Sequence, residues 1–240
     1  MIVGVLLAAG ASSRMGRPKA LVLSGGQSFL VRGVRALWTA CDIVIVVLGA
    51  DGQRVCSAAG AEFEDLVARG LAAPDLSGGP KRRNGELEVR FVFNKRWADG
   101  MLSSARVGLA QALRQKPSGI LVLPVDHPEV KPATVQALGA TLDHALVAFG
   151  GKQAKAFAYG LVPRHRGLRG HPVALSAALA DAVRRDRGAR DLADAIRRHA
   201  RLVGYLDVSD QGITVNRNTP GGGAPADGAA KRGGVRRRAR

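Results

Sequence analysis

The residues 7–19, Leu7-Ala8-Ala9-Gly10-Ala11-Ser12-Ser13-Arg14-Met15-Gly16-Arg17-Pro18-Lys19, follow directly on an apolar run. Small residues let backbone N–H groups come close to an anion, and three cations can neutralise its phosphates. Charge-assisted hydrogen bonds of that kind contribute about 1.5–3 kcal/mol each. The glycine spacing is neither a Walker A loop nor G-x-G-x-x-G. A βα turn with solvent-facing arginines is the competing reading. Leu7, Ala8, Ala9, Gly10, Ser12, Arg14 and Lys19 are the candidate anion-binding residues.

Three further segments carry chemistry-bearing types. Asp126 ends an apolar run in LPVDHP, 123–128, where Pro124 and Pro128 fix a tight turn; its alternative is a helix N-cap. His127 beside it is either a loop histidine or a ligand contact. In NKRWADGMLSS, 94–104, Gly100 permits a turn, and Ser103 or Ser104 falls at a helix start, where amides and hydroxyls favour anions. An ordinary cap with Trp97 in the core is the other reading. Finally, Gly170-His171-Pro172 makes a rigid loop able to present an imidazole, or a histidine satisfied within the fold.

The elements that must position these residues are legible in part. Residues 2–8, 42–50, 87–93 and 119–126 are apolar runs that predict buried strands. Helical spacing predicts helices over 28–40, 53–72, 103–114 and 132–143, with a short strand at 145–150. Alternating strands and helices indicate a mostly parallel sheet covered on both faces, with ligands at the strands' carboxyl ends. That edge holds the loop after residue 8, the segment after 93, and Asp126. Residues 74–86 predict a polar loop. Residues 221–240 hold six cations, one acid and almost nothing apolar, which predicts a disordered basic tail after a single domain over 1–220.

Composition sets outer limits. With 46% hydrophobic residues in 240, a core forms without disulfides. Cys41 and Cys56 have no metal spacing, no signal-peptide pattern opens the chain, and no apolar run approaches the roughly 18 residues of a span. The expectation is a cytoplasmic protein with no membrane partner. The net charge of +17 favours anionic partners. Arginine-rich codon usage explains it equally well, and a tail without aromatics argues against nucleic acid.

The first loop, L-x-A-G-x-S-x-R-M-G-x-x-K, resembles the signature of the MobA-like nucleotidyltransferases. The resemblance continues in order through NKRWADGMLSSARVGL at 94–109, LPVDHP at 123–128, GLRGHPVALS at 167–176 and VNRNTP at 215–220. It implies a single-domain, Rossmann-like α/β fold of the nucleotide-diphospho-sugar transferase type. In that family guanylyl-transferring members usually read L-A-G-G and cytidylyl-transferring ones L-A-A-G. Leu7-Ala8-Ala9-Gly10 therefore implies CTP, since a methyl at position 9 narrows the base pocket. Gly170, His171 and Pro172 resemble the acceptor-handling element of molybdopterin enzymes, which implies a molybdenum cofactor cytidylyltransferase and a recipient molybdoenzyme as partner.

In-line attack of a phosphate oxygen on an α-phosphorus needs positioning and charge neutralisation rather than a protein nucleophile. Arg14 and Lys19 are expected to hold the triphosphate, and Asp126 to hold Mg²⁺. The resemblance adds Asn216 and Asn218 to the metal set. Many relatives have aspartates there, and an amide oxygen brings no charge, so weaker metal affinity is expected. Arg217 between them is unfavourable if it points inward. A sugar phosphate as acceptor, or a non-catalytic nucleotide-binding relative, are the alternatives.

Overall fold

The computed structural model describes residues 1–12, 16–68, 88–150 and 156–217. The fully apolar runs form strands, as expected: β1 (Ile2–Ala8), β4 (Ile43–Leu48) and β6 (Gly119–Pro124) are buried at every position. Between β1 and β4 lie a two-residue hairpin, β2 (Leu23–Ser24) and β3 (Gln27–Ser28), and helix α1 (Phe29–Trp38). Ser28 caps α1 by accepting from the Val31 N–H. The chain continues through α2 (Gly52–Ala68), β5 (Glu88–Phe93) and α3 (Met101–Leu113), and after β6 through α4 (Pro132–Gly150).

The last third adds β7 (Tyr159–His165), β8 (Leu168–Arg169), β9 (Val173–Ser176), α5 (Ala177–Arg185), α6 (Leu192–His199) and β10 (Leu202–Asp207). One sheet runs in the order β10-β7-β9-β6-β1-β4-β5, with β8 paired to β7. β1 is parallel to both β4 and β6, whereas β9 is antiparallel to β6 and β7. Because strand side chains alternate, β1 sends Ile2, Leu6 and Ala8 into a core with α1, α2 and α4. Val3, Val5 and Leu7 enter a second core with α3, α5 and α6.

Two expectations are corrected. Residues 145–150 are no strand: they complete α4, because Leu138, Leu142, Ala145 and Leu146 recur at helical spacing on the buried face while Val147 is 77% exposed. The strand at 87–93 is not buried on both faces; as β5 it sits at the sheet edge, with Glu88 and Phe93 exposed. The polar loop 74–86, the end of the 53–72 helix and the tail 221–240 lie outside the described residues. Among the described residues no helix is long and apolar enough to cross a membrane.

Candidate functional site

β1 and β6 end side by side, and backbone bonds hold the loops that leave them. The Val125 N–H donates to the Leu7 carbonyl and the Ala50 N–H to the Ala9 carbonyl. Gly49 lets these segments close up, since a β-carbon there would overlap the Ala9 carbonyl and the Trp97 side chain. Ser12 (φ 53°) accepts at its Oγ from the Lys19 N–H at 2.7 Å, stapling the loop's two ends together. Arg14 lies outside the described residues, as does Asn218.

A cavity of about 280 Å³ opens here, and the expected residues Leu7, Ala9, Gly10, Ser12, Lys19, Gly100, Ser104 and Asp126 all line it. Lys19 Nζ stands 3.7 Å from Asp126 Oδ2, each side chain under one-fifth exposed. Gly100 (φ 93°) precedes α3 with no side-chain cap, and Gly100, Met101 and Ser104 of this helix start line the cavity. Uncapped N–H groups and the helix dipole favour an anion there.

Two expected contacts are placed differently. Ala8 turns to the opposite core, and the Ser103 hydroxyl is taken up within the loop, donating to the Arg96 and Gly100 carbonyls at 2.8 Å each. Buried Asn94 completes this brace: its Nδ2 donates to Ser103 and Ser104 Oγ, and its Oδ1 accepts from the Arg96 N–H. Asn94 thus positions the loop. Trp97 is a cavity wall and, partly buried, also packs against the core shared by α3, α5 and α6.

On the other side of Asp126, three segments converge. The Asp126 carbonyl accepts from the Arg217 N–H, and the Ile213 carbonyl from the His171 N–H. β9's reversed direction matters, because it brings the Gly170-His171-Pro172 loop at its start to the edge where β1 and β6 end. The His171-Pro172 peptide is cis. Asp210 ties the junction together, accepting from Lys131 N, Thr134 Oγ1 and Gly212 N while only 2% exposed. Apart from Gly212, its partners are remote in sequence, Lys131 at 79 and Thr134 at 76 residues away. Arg217 points away from the cavity to Glu129, which also receives Arg32 and Ser24.

His127 and His171 lie with ring centroids 4.8 Å apart, and the Nδ1 of each is buried without a partner. Burial lowers the His127 pKa, with Asp126 opposing. Burial also lowers His171, to about 4, with the His127 charge adding and Asp126 opposing. An unfolded chain protonates this imidazole near 6.5, so from pH 6.5 down to about 4 the unfolded state takes up the proton first. Stability is therefore unaffected by His171 above 6.5 and falls progressively below it. Urea unfolding at stepped pH should show a shallower decline over this window for His171→Gln than for the wild type; equal slopes would contradict the assignment.

Among the described residues no group of three His, Cys, Asp or Glu could hold a metal. One carboxylate, Asp126, is what a nucleotide-borne Mg²⁺ needs, since phosphates and water supply its other ligands. Asn216 Oδ1 is buried without a hydrogen-bond partner, an orphan acceptor in the segment bonded to Asp126. These two residues fit such a cation.

A family model, the MobA-like NTP transferase domain, matches residues 4–202. The chain belongs to the MobA-like NTP transferase family. It is 33% identical over 217 residues to nicotine blue oxidoreductase of Paenarthrobacter nicotinovorans, covering 88% of each chain. Its fold matches that of Rv0371c from Mycobacterium tuberculosis, solved in complex with manganese, at TM-score 0.54 and 24% identity over 86% of this chain and 88% of that one. It likewise matches molybdopterin-guanine dinucleotide biosynthesis protein A from Archaeoglobus fulgidus at TM-score 0.57 and 18% identity, over 92% and 94%. As a MobA-like transferase, the chain has the Rossmann-like nucleotidyltransferase fold, with six helices flanking a mostly parallel sheet among the described residues.

Proposed function

We propose that the chain transfers CMP from CTP to the phosphate of molybdopterin, releasing pyrophosphate. The observation that carries this reading is the small cavity at the ends of β1 and β6, walled by Leu7, Ala9 and Gly10 and holding Lys19 against Asp126. Ala9 is 4% exposed and sits against Gly49, so its methyl occupies space that a glycine would leave for a larger base.

Lys19, Arg14 and the open amides of α3 would neutralise the triphosphate and the departing pyrophosphate. Asp126 and Asn216, with Asn218, would hold Mg²⁺ or a similar divalent cation; the manganese-bound relative supports a metal of this class. The cation supplies charge neutralisation at the phosphates. The acceptor's phosphate oxygen attacks the α-phosphorus as the bond to the β-phosphate oxygen breaks. His171, at the rim of the same edge, would face the acceptor, and Gly170 and Pro172 fix its loop.

One observation favours a second reading. The identity to nicotine blue oxidoreductase exceeds that to either transferase-fold structure above, which supports a reductase that keeps the nucleotide-binding loop for a dinucleotide reductant. Both are tested in one set of assays. Pyrophosphate release from CTP, GTP, ATP and UTP is measured with Mg²⁺, with and without Mo-molybdopterin, beside NADH and NADPH oxidation with a planar dye. Release from CTP that needs the pterin supports the transferase; oxidation of reduced nicotinamide without pyrophosphate release overturns it.

A further inference from the structure

The carboxylate of Glu129, on the turn that follows Asp126, is a meeting point of separate segments. Its Oε1 accepts from Ser24 Oγ at 3.0 Å and from the Arg217 guanidinium at 3.4 Å. Its Oε2 accepts from the guanidinium of Arg32, on α1, at 3.4 Å. The Ser24 bond ties it to the hairpin that follows the Lys19–Leu21 turn. One anion thus answers two cations, with less than one-third of its side chain exposed.

The two arginines are not equivalent. Arg32 is anchored without Glu129: its Nε donates to the Pro128 carbonyl at 2.9 Å and its Nη1 to the Ser24 carbonyl at 3.4 Å. Arg217 has no other side-chain bond or ion pair among the described residues. Yet its backbone is fixed at the candidate site, where its N–H donates to the Asp126 carbonyl at 2.9 Å. The preceding residue, Asn216, keeps a buried Oδ1 with no hydrogen-bond partner. Lys19 already stands 3.7 Å from the Asp126 carboxylate. A long, flexible guanidinium tethered this close, if left unpaired, has Asp126 within its reach. A second cation there would oppose a divalent ion at short range.

We propose that Glu129 is a positioning residue: by holding the Arg217 guanidinium it keeps that charge off Asp126 and reserves the carboxylate for a metal cation. The proposal rests on the reading that Asp126 and Asn216 hold a divalent ion. It deepens that reading by naming what keeps their site open to one.

The probes are metal-free α,β-methylene-CTP, which cannot be cleaved at the reacting bond, and Mn²⁺ added to its complex with the full chain. Calorimetry follows the first and electron paramagnetic resonance the second. Glu129→Gln keeps the shape and an acceptor for Ser24 while removing the charge. It should weaken Mn²⁺ uptake about tenfold and tighten the metal-free nucleotide, because the released guanidinium repels one and attracts the other. Adding Arg217→Gln should return both affinities to within about twofold of wild type, as expected of two groups that act as a pair. Damage to the fold would weaken both probes, and the second substitution would restore neither. Weakening of both by Glu129→Gln, or Mn²⁺ uptake that stays low in the double variant, would overturn the proposal. If wild type fails to take up either probe, the proposed function fails, and the Arg217 side chain itself decides the proposal. Its Nε–H resonance, assigned by its loss in Arg217→Gln, should shift when Asp126→Asn is added to Glu129→Gln and hold its position when it is added to wild type. A resonance indifferent to Asp126 in both backgrounds would refute it.

Discussion

Asp126→Ala is expected to lower nucleotidyl transfer by roughly 10²–10³-fold, the usual cost of removing one group that stabilises transition-state charge, while leaving the KM for the nucleotide unchanged or lower. The sign of the split follows from the Lys19–Asp126 pair at 3.7 Å. Removing the carboxylate removes the ion pair that competes with a triphosphate for the ammonium, so ground-state binding is not expected to weaken. What would be lost, on the proposed function, is the carboxylate that would hold the cation against the reacting phosphates. Asp126→Asn, with similar shape and no charge, should fall between the two. Steady-state pyrophosphate release against CTP concentration measures both constants. Turnover within tenfold of wild type, or a loss confined to KM, would remove Asp126 from the chemistry.

Gly212→Ala is the substitution expected to damage the fold most. Gly212 is buried in the turn Gln211–Ile213, and a β-carbon there would overlap the Glu129 carbonyl and lie 2.9 Å from the Val130 nitrogen. These obstacles are backbone and cannot rotate aside. Overpacking of this kind costs about 3 kcal/mol, which lowers the melting midpoint by roughly 6–12 °C in a chain of this size. Because the same turn accepts the His171 N–H, the acceptor side should fail before the nucleotide side. Gly60→Ala is the control with opposite sign. It lies within α2 with nothing near its would-be β-carbon, so it should raise stability by up to about 1 kcal/mol. Differential scanning calorimetry of both variants tests the pair; a Gly212→Ala midpoint within 2 °C of wild type would refute the packing argument.

The first half of the fold was legible because its strands are buried on both faces. β1, β4 and β6 are continuous apolar runs, and a run of that kind needs no periodicity to be recognised. The second half offers weaker signals. β10 lies at an edge and is only partly buried, β7 contains Pro163, β9 has four residues, and α6 has eight. Residues 145–150 misled because a short apolar run does not declare its period until the helix before it is followed through.

The candidate site divides the same way. Lys19, Asp126 and Gly100 were legible from residue type and position at strand ends, and they meet at one cavity. Asn94 and Asp210 were not, or only faintly, since each acts by holding backbone that is distant or irregular. Arg217 was unfavourable only on the assumption that it faced inward; Glu129 takes its charge elsewhere.

The reversed strand has a consequence for how such a scaffold diversifies. β7, β8 and β9 form a contiguous antiparallel unit over residues 159–176, which carries the Gly170-His171-Pro172 loop. The strands behind the proposed nucleotide cavity take their register from long-range pairings instead, as between Val3 and Ile43 and between Ile2 and Gly119. Lengthening or re-lettering that loop disturbs none of those pairings. An ancestral duplication could therefore trade one acceptor for another within a dozen codons, leaving the machinery that handles the nucleotide to be inherited intact.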